Sequence, residues 1–131
     1  MDKNFLKGYL ADFSKLICPS VNVIDDLYET TLILKQMQSM GNKAIIFGNG
    51  GSAAIASHFS VDLTKNAGIR CVNYNEADLI TCFANDYGFE HWIEKVVQFY
   101  GDLGDVLIVI SSSGNSENML NACKAAGAKK F

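Results

Sequence analysis

Gly48-Asn49-Gly50-Gly51-Ser52 and Ser111-Ser112-Ser113-Gly114-Asn115-Ser116 each follow a short apolar run and precede a helical pattern. In the first, Gly50 and Gly51 let the main chain come close to a ligand, while Asn49 and Ser52 add side-chain donors. In the second, the hydroxyls of Ser111, Ser112, Ser113 and Ser116 meet the free N–H groups of a helix start, which suits a phosphate dianion. Together the segments predict a phosphorylated, hydroxyl-rich small molecule as ligand. His58 and Asp62 stand four residues apart on the helix that the glycine segment opens, so they share one face. An imidazole and a carboxylate so placed can hold Zn²⁺ or move a proton in an enolisation, and they are expected to point into the crevice holding the ligand. His91, beside Trp92, reads as mid-helix and structural or interfacial.

Competing motifs fail on single residues. A G-x-G-x-x-G run from Gly48 needs glycine where Ala53 stands, and G-x-x-x-x-G-K-[ST] does not occur, so a nucleotide is not the expected ligand.

The elements that must position these groups follow from periodicity. Phe5 to Ile17 repeats apolar residues every three or four positions and ends at Pro19. A second helix, with Asn22 as N-cap, runs to Met40 and stops at Gly41, its apolar positions nearly all round and therefore covered on several sides. Ala44–Phe47 reads as a strand, Ala53–Asn66 as a helix, Ile69–Tyr74 as a strand and Ala77–Ala84 as a short helix. A turn at Asn85-Asp86-Tyr87-Gly88, a helix Phe89–Tyr100, a fully buried strand Asp105–Ile110 and a helix to Ala126 complete the pattern. Strands alternating with helices predict an α/β fold, a parallel sheet with helices on both faces, preceded by two N-terminal helices. Both ligand segments then lie at carboxyl ends of strands, where open α/β sheets bind ligands. Gly127 to Phe131 reads as a helix end leading into another strand, so the chain is expected to be C-terminally incomplete.

Composition narrows the class. The chain has 131 residues, 49% hydrophobic and 19% charged, enough for one globular core. Its 11 basic and 14 acidic residues leave a net charge of -3 with no basic stripe, so no nucleic-acid partner is expected. The longest apolar run, Val106–Ile110, is far short of a membrane span, and no secretory h-region follows the start, which makes the cytoplasm the expected compartment. Cys18, Cys71, Cys82 and Cys123, lacking any C-x-x-C pair, read as reduced and mostly buried.

In series, Gly48 to Ser52, then His58-Phe59 with Asp62-Leu63-Thr64, then Asn85 to Phe89, then Gly104-Asp105-Val106-Leu107 running into Ser111 to Ser116, resemble the sugar isomerase (SIS) domain of phosphoheptose isomerases. The resemblance covers about residues 1–131 as a single domain, 1–41 a helical extension and 42–131 a flavodoxin-like three-layer sandwich. It implies conversion of sedoheptulose 7-phosphate to D-glycero-D-manno-heptose 7-phosphate, a ketose-aldose isomerisation through an enediol serving surface polysaccharide precursors. It also implies a homotetramer with active sites near subunit interfaces. By this likeness Asn49, Gly50 and Gly51 hold the sugar and Asn85 and Asp86 contact it. Ser111, Ser112, Ser113 and Ser116 bind the phosphate, and His58 and Asp62 serve as zinc ligands and catalytic groups. The family carries Glu where this chain has Asp62, one methylene and about 1.5 Å shorter in reach. The family's remaining Gln and His come from a later helix, so this chain supplies half of the zinc site. The alternative reading is a non-catalytic SIS module that binds a sugar phosphate or another protein.

Overall fold

The structure, a computed structural model, describes residues 2–131. In chain order these form α1 (Lys3–Leu16), α2 (Val21–Ser39), β1 (Ala44–Gly48), α3 (Gly51–Lys65), β2 (Cys71–Val72), α4 (Ala77–Tyr87), α5 (Trp92–Tyr100), β3 (Val106–Ile110) and α6 (Glu117–Lys129). The chain divides after Ile33 into two compact units.

In the first unit, the Asp2 carboxylate caps α1 by accepting the Phe5 N–H at 2.8 Å. The rings of Phe5, Tyr9 and Phe13 stack in a row along that helix, with centroids 6.4 and 6.5 Å apart. α2 begins at Val21, so Asn22 lies inside its first turn and is not the expected N-cap; the Ser20 carbonyl already accepts the Ile24 N–H at 3.2 Å. Every described residue up to Ile33 is exposed, so the cover expected on several sides of α2 is not present along this stretch.

The second unit is built on a parallel sheet of order β2-β1-β3. β1 is central and all five of its residues are buried. Because side chains alternate along a strand, Ile45 and Phe47 enter one core with Trp92, Ile93, Val96, Val97, Met119, Ala122 and Ala126 of α5 and α6. Ala44 and Ile46 enter the opposite core with Leu34 and Met37 from the end of α2, and Ala56 and Leu63 of α3. Helices therefore cover both faces, as expected. Each fully buried Ile or Phe contributes about 2 kcal/mol of transfer free energy.

At the amino ends of the strands, Asp105 is 1% exposed yet fully partnered. It accepts from Lys43 Nζ at 2.6 Å, the Lys43 N–H at 3.0 Å, the Asp102 N–H at 2.9 Å and Asn42 Nδ2 at 3.2 Å. Burial pushes this carboxyl upward, but the Lys43 ammonium and the two N–H donors outweigh it, and its pKa lies below the ordinary 3.8. Burial likewise pulls Lys43 down, and its bonds to Asp102 and Asp105 outweigh that and hold it above 10.5.

Several expected elements differ in extent. β2 forms ladder bonds only at Cys71 and Val72, where Ile69–Tyr74 was expected. The next partner position is filled instead by a side chain, Asn73 Nδ2 donating to the Ile46 carbonyl at 3.3 Å. α4 runs through Asn85, Asp86 and Tyr87, which the Asn-Asp pair had suggested was a turn; the stop is Gly88, whose φ of 88° favours glycine. α5 starts at Trp92, so His91 is its N-terminal flanking residue and not mid-helix, with Nδ1 2.7 Å from Glu94 Oε2. β3 is half-buried and not fully buried, because it lies at the edge of the sheet. Of the cysteines only Cys71 is buried; Cys18, Cys82 and Cys123 are exposed, contrary to expectation, and all four are free thiols.

Candidate functional site

The segment after β1 folds back at once into α3. A Cβ on Gly48 would lie 2.3 Å from the Ser52 carbonyl carbon and oxygen, so only glycine permits this return. Gly50 adopts φ 54° and ψ -121°, a backbone state that glycine reaches without strain. The Ser52 N–H donates to the Asn49 carbonyl and the Ala53 N–H to the Gly50 carbonyl, both at 3.0 Å. The N–H groups of Gly50 and Gly51 have no acceptor among the described residues and lie at the positive end of the α3 dipole.

The serine segment closes on itself by two local bonds. Ser111 Oγ accepts the Gly114 N–H at 3.1 Å, and Ser113 Oγ accepts the Asn115 N–H at 3.2 Å. Since each oxygen accepts, each hydroxyl hydrogen is left to donate outward, as an anion requires. Ser112 is exposed; Ser116 flanks α6, its carbonyl accepting from Met119 and Leu120 while its hydroxyl makes no cap bond. The N–H groups of Ser116 and Glu117 are free among the described residues, so hydroxyls and amides together offer donors of the kind an anion takes.

What joins the two segments is a residue that sequence reasoning missed. Asn118, 2% exposed, exchanges two amide hydrogen bonds with Asn49, its Nδ2 donating to Asn49 Oδ1 at 2.9 Å and its Oδ1 accepting from Asn49 Nδ2 at 3.0 Å. Its only sequence signal is a poor helix former in the first turn of α6. The structure therefore brings Asn49, Gly50, Gly51 and Ser52 together with Ser111, Ser112, Ser113 and Ser116.

The other expected residues are exposed on α3 and at the end of α4. His58 Nε2 lies 3.7 Å from Asp62 Oδ2, confirming that the pair shares a face of α3, but the side chains are 80% and 47% exposed. They look onto solvent, where a crevice-facing orientation was expected, and line a shallow hollow of about 460 Å³ with Ala54, Ile55 and Phe59. Asp62 Oδ1 also accepts from Asn66 Nδ2 at 3.0 Å. Asn85 and Asp86 sit exposed at the end of α4, where Asn85 Nδ2 donates to Asp86 Oδ1 at 2.9 Å. Neither is hydrogen-bonded to the two loops among the described residues. His58 and Asp62 are chemically suited to zinc as two donors of a tetrahedral set, but the described residues hold no group of three or more His, Cys, Asp or Glu able to bind a metal.

With this geometry in place, residues 22–130 match the family model described as SIS domain. The chain belongs to the SIS-domain family. Among its relatives, the phosphoheptose isomerase of Fusobacterium nucleatum is 34% identical over 96% of this chain and 69% of its own length. That of Histophilus somni is 36% identical over 79% of this chain and 55% of its own. The chain thus spans between about half and somewhat over two thirds of these relatives. The phosphoheptose isomerase GmhA from Neisseria gonorrhoeae superposes with a TM-score of 0.77 at 34% identity, covering 96% of this chain and 71% of that one. A phosphoheptose isomerase from Francisella tularensis gives 0.81 at 25% identity, covering 97% and 68%. The SIS fold is accordingly that of this chain, and no helix among the described residues is long and apolar enough to cross a membrane.

Proposed function

We propose that this SIS domain belongs to a ketose-aldose isomerase that interconverts sedoheptulose 7-phosphate and D-glycero-D-manno-heptose 7-phosphate. The observation that carries the reading is the joined pair of loops, an anion cradle at the end of β3 bonded to a glycine-rich turn at the end of β1. Relatives named phosphoheptose isomerase support it. The serine loop holds the phosphate, and Asn49, Gly50 and Gly51 hold the sugar hydroxyls. Asp62 is the base: it takes a proton from carbon 1 of the ketose and returns it to carbon 2 through the enediol, while a proton passes between the two oxygens. His58 and Asp62 would also hold a zinc ion, which when bound polarises the substrate carbonyl. Their exposure beside Ile55 and Phe59 fits a homotetramer in which a second copy covers the α3 hollow near the active site. Cytoplasmic location and a role in surface polysaccharide supply belong to the same proposal.

The test is incubation with sedoheptulose 7-phosphate, with and without added zinc, following the aldose by proton NMR. Appearance of the aldose is expected. A second reading, a non-catalytic sugar-phosphate-binding module, is favoured by the solvent-facing position of the His58–Asp62 pair. Binding without conversion under both conditions would establish it in place of the first.

A further inference from the structure

Asn118 makes more bonds than its partner. Its Oδ1 accepts the Met119 N–H at 3.1 Å, an N–H shared with the Ser116 carbonyl at 3.0 Å, as well as Asn49 Nδ2 at 3.0 Å, while its Nδ2 donates to Asn49 Oδ1 at 2.9 Å. A main-chain N–H can only donate, so Met119 dictates which end of the Asn118 amide is oxygen. That choice dictates the Asn49 amide in turn, since each end must meet its complement. Asn49, half-buried, is left with one N–H and one lone pair uncommitted, on sides it cannot exchange without breaking both bonds. A free asparagine could swap donor and acceptor by turning its amide over. This one is fixed.

We propose that Asn118 is a positioning residue: through Met119 and Asn49 it sets the donor and acceptor polarity presented to a sugar hydroxyl beside the glycine turn, and it holds that turn in register with the phosphate cradle. The inference rests on the sugar-phosphate reading and assigns it a residue that touches no ligand. Asn118 itself is 2% exposed, its Oδ1 filled by Asn49 and Met119 and its Nδ2 bonded to Asn49. Its effect should therefore fall on the sugar and not on the phosphate.

The experiment compares native chain, Asn118→Ala, Asn118→Asp and Asn49→Ala for binding of sedoheptulose 7-phosphate and of inorganic phosphate by calorimetry. Asn118→Ala is expected to weaken the sugar phosphate about tenfold and inorganic phosphate less than about twofold, because a lost polar partnership is worth roughly one power of ten. Asn118→Asp keeps size and the Met119 bond but sets an oxygen against Asn49 Oδ1, so it should not rescue. Asn49→Ala should lose as much as Asn118→Ala, and the double variant no more, as coupled groups do. Equal loss of both ligands would make Asn118 a structural support of α6 and overturn the proposal, as would unchanged sugar-phosphate affinity. If the native chain binds phosphate but not the sugar phosphate, the functional reading fails. The relay is then judged by the side-chain amide resonances of Asn49, whose persistence at native positions in Asn118→Ala would overturn it.

Discussion

Lys43 Nζ lies 2.6 Å from Asp105 Oδ2, joining the amino ends of the two strands whose carboxyl ends carry the glycine and serine loops. Both residues are largely withdrawn from water, the side chains 15% and 1% exposed. Such a pair is weak evidence of net stabilisation, but breaking it leaves a charge buried without its partner.

A pH profile should show this. The Asp105 pKa is depressed in the folded state, so its contribution is complete above the ordinary value of 3.8 and fades as pH falls through the lower, folded value. Asp105→Asn is expected to cost about 2 to 3 kcal/mol at neutral pH, with Asp102 still holding Lys43. In urea unfolding, the gap between native and variant should narrow below about pH 4. A gap constant down to pH 2 would show that the carboxylate charge is not what matters.

How the sequence announced its site differed from residue to residue. The loops were legible because Gly48 to Ser52 and Ser111 to Ser116 punctuate apolar runs with residues of one conformational purpose. Asn118 was not, because its value depends on Asn49, 69 positions away, and no local pattern encodes that pairing. The turn read at Asn85 failed for a related reason: Asn and Asp favour turns, yet here they close a helix whose stop is supplied by Gly88. The uniformly apolar β1 did not show which residues enter which core, and the half-burial of β3 follows from its place at the sheet edge.

The serine cradle predicts a specific pattern of loss. Ser111 and Ser113 both accept local N–H groups, so removing either hydroxyl costs a loop bond and an outward donor together. Ser111→Ala with Ser113→Ala is expected to weaken sedoheptulose 7-phosphate by at least about 1 kcal/mol in calorimetry. Unchanged affinity would place the phosphate elsewhere.

Cysteine reactivity should divide sharply. Burial pushes the Cys71 thiol up to about 11, while Cys18, Cys82 and Cys123 are exposed. Iodoacetamide at mildly alkaline pH should modify the exposed three in the native protein and Cys71 only after denaturation, read by intact mass. Early labelling of Cys71, mapped by peptide mass, would show that the hollow it lines with Ser60, Val61, Thr64 and Lys65 of α3 opens readily.

Asp62 carries the catalytic prediction. Asp62→Asn keeps shape but removes basicity, and turnover of sedoheptulose 7-phosphate should fall by roughly two to four orders of magnitude with little change in binding. Asp62→Glu, one methylene longer in reach, should keep or raise turnover. If Asp62→Asn isomerises as fast as the native chain, the base lies on another residue.

β1 also fixes where length may change. Phe47 meets Trp92 edge-on at 5.5 Å in one core, while Ala44 and Ile46 fill the other. Deleting or inserting one residue between Ala44 and Gly48 would exchange the two sets, driving a phenyl ring toward space shaped for Ile46 and turning Asn49 away from Asn118. Changes of two residues would keep this phase, and changes in the α3–β2 connection would not touch it. The strand thus counts in pairs, and the handedness of the site is kept by the parity of its length.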